Sequence, residues 1–144
     1  MAKFPYFQVT QKDSSFFLTA IPAGLLTRIS YAAVRRQDDE EGAVQRILNT
    51  SRIAGIKDFA LKMGDFPASI VLNWVKEPLV LENDEIEITD EPRSAQIIDG
   101  QHRVAGLAAA ISEDATIAEY QIPIAIYNKL STSNSARIFI SINT

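Results

Sequence analysis

Cysteine is absent from the 144 residues, which excludes disulfides, thiol catalysis and thiolate metal sites. Histidine occurs once, which argues against an ordinary zinc site. No apolar run is long enough to span a membrane, and the chain opens Lys3-Phe4-Pro5 without the apolar stretch of a signal peptide. The sequence therefore reads as cytoplasmic. Bulk positive charge is missing too: 14 Lys and Arg stand against 18 Asp and Glu, a net charge of −4 at pH 7. That sign is wrong for a domain that coats nucleic acid through net charge, although a local basic face stays open. Internal repeats and low-complexity tracts are also lacking. What is present, 47% hydrophobic and 22% charged residues, fits a single globular domain large enough for a proper core.

The order of patterns along the chain predicts an α+β layout. Residues 4–9 and 15–21 read as strands around a polar turn at Gln11-Lys12-Asp13. Pro22 suits the first position of a short helix over 23–29, with Leu25, Leu26 and Ile29 on one side. Residues 35–42 are charged or polar throughout and read as a solvated loop. Thr50 or Ser51 is placed to cap a helix over 52–63, whose Ile53, Ile56, Phe59, Ala60 and Met63 fall at helical spacing, with Gly64 closing it. Strands follow at 69–75, 79–81 and 85–88, the last two joined by Asn83-Asp84. Residues 95–98 form another strand, 121–127 a further one, and Ser131-Thr132-Ser133 offers a cap for a final helix holding Ala136, Ile138, Phe139 and Ile142. Trp74 and Phe66 read as core residues rather than stacking platforms. The chain stops at Ile142-Asn143-Thr144 inside this apolar pattern, so the expectation is one domain over 1–144, an N-terminal piece of a longer protein.

The most informative stretch is Ile97-Ile98-Asp99-Gly100-Gln101-His102-Arg103. A buried strand runs into Asp99, turns on Gly100, and gives way to a helix rich in Val104, Ala105, Leu107, Ala108, Ala109 and Ile111. The first turn of a helix has unpaired N–H groups and the positive end of the dipole, which favour an anion, phosphate above all. Arg103 adds a planar fork of donors matched to phosphate oxygens. Arg46 and Arg52 stand just before or at the start of the 52–63 helix, a second place to hold an anion. Each residue also has a plainer reading. His102 would be a structural histidine bridging two backbone groups, and Asp99 a helix cap. Arg103 would pair with Glu113, Asp114 or a loop carboxylate, and Arg46 and Arg52 would be surface arginines.

Asp99-Gly100-Gln101-His102-Arg103 resembles the signature of the DGQHR-domain family, which includes the DndB proteins of bacterial DNA phosphorothioation. The likeness extends to Gln45-Arg46-x-Leu48-Asn49-x-x-Arg52, Phe66-Pro67-x-Ser69-Ile70-Val71-Leu72, Ile122-Pro123-Ile124 and Phe139-x-x-Ile142-Asn143, in the family's order, over roughly residues 45–144. That family resembles a branch of the ParB/sulfiredoxin superfamily. The resemblance implies a mixed sheet flanked by helices, with the motif at a strand–turn–helix junction.

It also implies roles. Gly100 would let the backbone approach a nucleotide phosphate, Arg103 would clamp it, and Gln101 and His102 would add donors. Arg52 would reach the same phosphates from the other side. Asp99 would hold Mg²⁺ through water or orient an attacking water, so that Asp99 and His102 are the candidate catalytic pair. The sequence departs from its relatives where sulfiredoxin has its nucleophilic cysteine, which is Gln101 here, so sulfinic-acid repair is excluded. ParB's Glu-Arg-Arg is Gln-His-Arg here, so base preference does not transfer. Two functions stand as expectations. One is an NTP phosphate-binding domain, with Mg-dependent NTP turnover left open, in a DNA-modification or phage-defence system. The other is a DNA-binding regulator of DNA-modification genes without turnover, DNA being reached through the full-length protein.

Overall fold

The computed structural model describes residues 2–12, 14–32 and 49–142. The loop expected at 35–42, and Arg46 with its neighbours, lie outside the described residues. The elements run β1 (Ala2–Pro5), β2 (Phe7–Thr10), β3 (Ser15–Pro22), α1 (Ala23–Ile29), β4 (Ser30–Ala32), α2 (Thr50–Lys62), β5 (Ile70–Trp74), β6 (Val80–Glu82), β7 (Glu85–Ile88), β8 (Ala95–Asp99), α3 (Gln101–Glu113), a 3-10 helix (Ala115–Glu119), β9 (Gln121–Asn128) and α4 (Thr132–Ile142).

Six strands form the main sheet in the order β2-β3-β9-β5-β8-β4, and β1-β7-β6 form a smaller one. The main sheet is mixed: β9 and β5 run parallel, as do β8 and β4, while β3–β9 and β5–β8 are antiparallel. Alternate residues of the central strands build the main core, with Ile21, Leu72, Ile97, Ile124 and Ile126 on one face of the sheet. Ile29 of α1, Leu107 of α3, and Ile86 and Ile88 of the small sheet close over them. On the opposite face, Ile98, Tyr127 and Ile138 make a second, smaller core beneath α4, with Phe139 packed against it. The buried Asn73 side chain stitches this layer down. It accepts the Leu130 N–H at 2.8 Å and donates to the Leu130 carbonyl at 3.2 Å and to Ser135 Oγ at 3.4 Å.

Several sequence expectations are corrected by the packing. The strand expected over 4–9 is two strands broken at Tyr6, whose ring packs edge-on against Phe17 at 5.4 Å. The chain there leaves the small sheet, where β1 pairs with β7, and enters the main one, where β2 pairs with β3. Pro22 ends β3 and caps α1 from an extended conformation rather than occupying its first turn. The cap of α2 is Asn49, not Thr50 or Ser51: its Oδ1 accepts the Arg52 N–H at 3.0 Å, and the helix starts two residues earlier than expected. Apolar density along α3 overstates its burial: of its apolar side chains Val104, Leu107 and Ala110 are buried, while Ala108 faces solvent. Met63, just past the end of α2, is likewise 68% exposed. β4 and the 3-10 helix have no local signal. The first is three residues held by its parallel pairing with β8, the second is opened by Asp114. The Asn83-Asp84 turn is as expected, both residues taking positive φ in a two-residue hairpin. Ser131 caps α4 through the Asn134 N–H at 3.2 Å.

Candidate functional site

β8 ends at Asp99 and α3 begins at Gln101, so Gly100 alone makes the turn between them. Its φ is 109°, a conformation that strains any residue with a Cβ. An added Cβ would also lie 2.6 Å from Cδ1 of Ile70, the buried first residue of β5. The glycine is thus required by turn geometry and packing before any ligand is considered. Gly100→Ala is expected to cost about 1–3 kcal/mol of stability, read as a lower urea midpoint at unchanged slope. An unchanged midpoint would contradict this account of the turn. The β5–β8 register also shifts here, between Val71 and Leu72, with Val71 opposite Asp99. Such an irregularity bends the strand end that presents the motif.

Because Gly100 carries no side chain, α3 starts without a side-chain cap. Its first ladder bond runs from the Val104 N–H to the Gly100 carbonyl at 3.0 Å, which leaves the preceding turn as the positive end of the helix. The helix-cap reading of Asp99 is therefore not what the structure shows. Asp99 instead stands 3.5 Å from Arg103 Nη2, the outer limit of a useful hydrogen bond, and keeps most of its acceptor capacity.

Arg103 is a tie as well as a charge. Nη1 donates to the Ala68 carbonyl at 2.7 Å and Nη2 to the Ser69 carbonyl at 3.3 Å, fastening the start of α3 to the segment that leads into β5. Pairing of Arg103 with Glu113 or Asp114 is not found. Glu113 pairs with Lys57 at 2.7 Å, and Asp114 accepts from the N–H and Oγ1 of Thr116, bonds that hold its carboxyl below the usual range. Burial draws the pKa of Arg103 below its ordinary value, the Asp99 carboxylate opposes that, and the nearby Arg52 cation adds to it. A guanidinium stays charged under such pressure, so two cations share this site, and among the described residues Asp99 is the carboxylate that lines it with them.

Arg52, exposed in the first turn of α2, lines the same cavity as Asp99, Gly100, Gln101 and Arg103. Among the described residues its guanidinium has no carboxylate partner at ion-pair distance. Gln101 is 8% exposed, and its Oε1 is sealed from solvent without a hydrogen-bond partner among the described residues. Buried amide oxygens are rarely left so. His102 is also buried, and its Nε2 accepts the Asn49 main-chain N–H at 2.9 Å. Ile98 and Phe139 supply the apolar wall. The cavity, open on one side, has a volume of about 80 Å³. That is far below the roughly 300–1,000 Å³ of a pocket that engulfs a whole ligand, and suits one phosphoryl-sized group. A larger cleft of about 470 Å³ runs beside Trp74, but its charges are mixed and partly paired internally, Lys76 to Glu91 at 3.7 Å.

The structure thus brings Arg52 and residues 99–103 to one cavity, while Arg46 lies outside the described residues. Sequence reasoning placed Asn49 and Phe139 in the family's pattern but gave neither a role in the site. Asn49 had a usable signal, since asparagine three residues before Arg52 is a favoured N-cap spacing. Phe139 had no local signal for the site beyond its place in that pattern, because it reaches the cavity from a helix distant in sequence.

This architecture is the ParB-like α+β fold. The crystal structure of the C-terminally truncated chromosome-partitioning protein ParB from Caulobacter crescentus, complexed with CTP-γ-S, shares it with a TM-score of 0.54 and 13% sequence identity. The match covers 88% of this chain and 52% of that one, so the chain spans about half the length of its structural relative. Residues 4–144 match the family DndB, DNA-sulfur modification-associated, and the chain belongs to that family. No curated protein matches it. Among the described residues, no helix is long and apolar enough to cross a membrane.

Proposed function

We propose that this domain binds the phosphates of a nucleoside triphosphate at the β8–α3 turn, within a protein that serves DNA sulfur modification. The observation that carries the reading is the pair of guanidiniums, Arg52 and Arg103, at an uncapped helix N-terminus around a phosphoryl-sized cavity. An anion there neutralises the repulsion between the two cations and accepts from the first-turn N–H groups. Arg103 contributes the donors not committed to Ala68 and Ser69, Arg52 closes from the α2 side, and Gln101 adds an amide. Family membership and the CTP analogue held by the ParB relative support the same reading.

Among the described residues, Asp99 is the carboxylate that lines the cavity. Among the described residues there is no group of three His, Cys, Asp or Glu side chains able to hold a metal. Mg²⁺ would therefore be held by Asp99 together with phosphate oxygens and water, the usual arrangement in NTP sites, where it neutralises phosphate charge. Hydrolysis, if the full protein performs it, would fall to Asp99 as the group that orients a water. His102 enters through its position and is taken up below.

The test is isothermal titration with ATP, GTP, CTP and UTP in the presence of Mg²⁺, for the wild type and Arg52→Glu. Binding by the wild type and its loss in the variant supports the reading. Heat with none of the four from a folded wild type, together with salt-dependent duplex DNA binding lost in the same variant, transfers the site to DNA backbone phosphates and to the regulator reading.

A further inference from the structure

Two helix starts meet at the cavity, and one side chain joins them. His102, 7% exposed in the first turn of α3, accepts the Asn49 N–H on Nε2 at 2.9 Å. That nitrogen must carry a free lone pair to do so, and a lone pair pointed at a main-chain amide is not a donor to phosphate. Asn49 is in turn the cap of α2. Its Oδ1 accepts the Arg52 N–H at 3.0 Å, and its carbonyl accepts the Ile53 N–H at 3.0 Å. A continuous hydrogen-bonded path therefore runs from the imidazole through Asn49 to the main chain of Arg52.

Elsewhere the two helices touch at midlength and at the end of α3. A Cβ at Gly106 would lie 2.4 Å from Ile56 Cγ2 and 3.3 Å from the Ile53 carbonyl, so the helices meet closely at midlength. At the far end, Lys57 reaches Glu113 at 2.7 Å, a contact between partly exposed, flexible side chains. The directional bond at His102 ties the start of α2 to the turn that carries Gly100.

We propose that His102 is a positioning residue: by holding Asn49 through Nε2 it sets Arg52 over the α3 turn. The inference rests on the phosphate-binding reading above.

The experiment is a double-mutant cycle. Affinity for inorganic triphosphate with Mg²⁺ is measured for the wild type, Arg52→Ala, His102→Ala and the double variant, with amide hydrogen exchange on each. Arg52→Ala is expected to weaken binding about tenfold or more, and His102→Ala about threefold to tenfold, the loss of one ordinary hydrogen bond acting at a distance. The double variant is expected to match Arg52→Ala within about twofold, because His102 acts only through the residue already removed. Exchange at the Asn49 amide is expected to rise about tenfold in His102→Ala while that of mid-α2 amides is unchanged. His102→Gln retains a carbonyl able to accept the same bond and is expected to bind within about threefold of wild type, which carries the test should the alanine variant not fold. Losses that add in the double variant, an Asn49 amide indifferent to His102→Ala, or a folded His102→Gln that loses binding as Arg52→Ala does would each overturn the positioning role. A folded wild type that does not bind inorganic triphosphate would instead sink the phosphate reading itself, and this inference with it.

Discussion

Arg52→Glu is expected to weaken nucleoside triphosphate binding by more than about a hundredfold. A charge-assisted bond to phosphate contributes about 1.5–3 kcal/mol, each 1.4 kcal/mol is roughly tenfold in affinity, and a carboxylate at the same place adds repulsion to the loss. The substitution leaves the fold intact for stated reasons. Arg52 is exposed, its main-chain N–H rather than its side chain takes part in the Asn49 cap, and an acid in the first turn of a helix suits the dipole. An unchanged melting temperature with lost binding is the combined result expected from calorimetry and titration. Retained affinity in a folded Arg52→Glu would remove the α2 side from the site.

Ile124→Ala is expected to have the largest effect on stability. Ile124 has 0% exposure, lies in the middle of β9, and sits opposite Thr19 of β3 and Ile70 of β5. Removing three buried carbons from so enclosed a position costs about 2–5 kcal/mol, a large part of the roughly 5–15 kcal/mol that holds a domain together. The melting temperature should fall by roughly 10 °C. Phe7→Ser offers the contrast, because Phe7 is 77% exposed on the edge strand β2 and its loss should stay within about 0.5 kcal/mol. A fall of less than about 3 °C for Ile124→Ala would contradict the placement of the main core.

The strand, the glycine turn and the helix at residues 95–113 were legible because each rests on local chemistry: β-branched residues ending in Asp99, a glycine with no alternative at φ 109°, and an apolar stripe at helical spacing. The Asn83-Asp84 hairpin was legible for the same reason. The break at Tyr6 was not, since nothing within residues 4–9 reveals that the chain changes sheets there; the ring contact with Phe17 is a tertiary fact. The site was legible in its membership more than in its geometry. Residues 99–103 and Arg52 share the cavity, yet the commitment of Arg103 to the Ala68 and Ser69 carbonyls depends on where β5 begins. The tie between His102 and Asn49 spans 53 positions and depends on how α2 lies against α3. Two plain readings of single residues fared differently. Asp99 does not cap α3, whereas His102 does accept a main-chain N–H, as a structural histidine would.

The central claim is that the cavity between the α3 turn and the start of α2 receives phosphate. Its most direct test is an amide chemical-shift titration of the ¹⁵N-labelled protein with CTP and Mg²⁺. The account predicts saturable shifts concentrated at Gly100, Gln101, His102 and Arg103 and in the first turn of α2 at Arg52, with the residues around Trp74 unmoved. Shifts confined to the Trp74 cleft, or saturation that leaves the 99–103 amides in place, would contradict it.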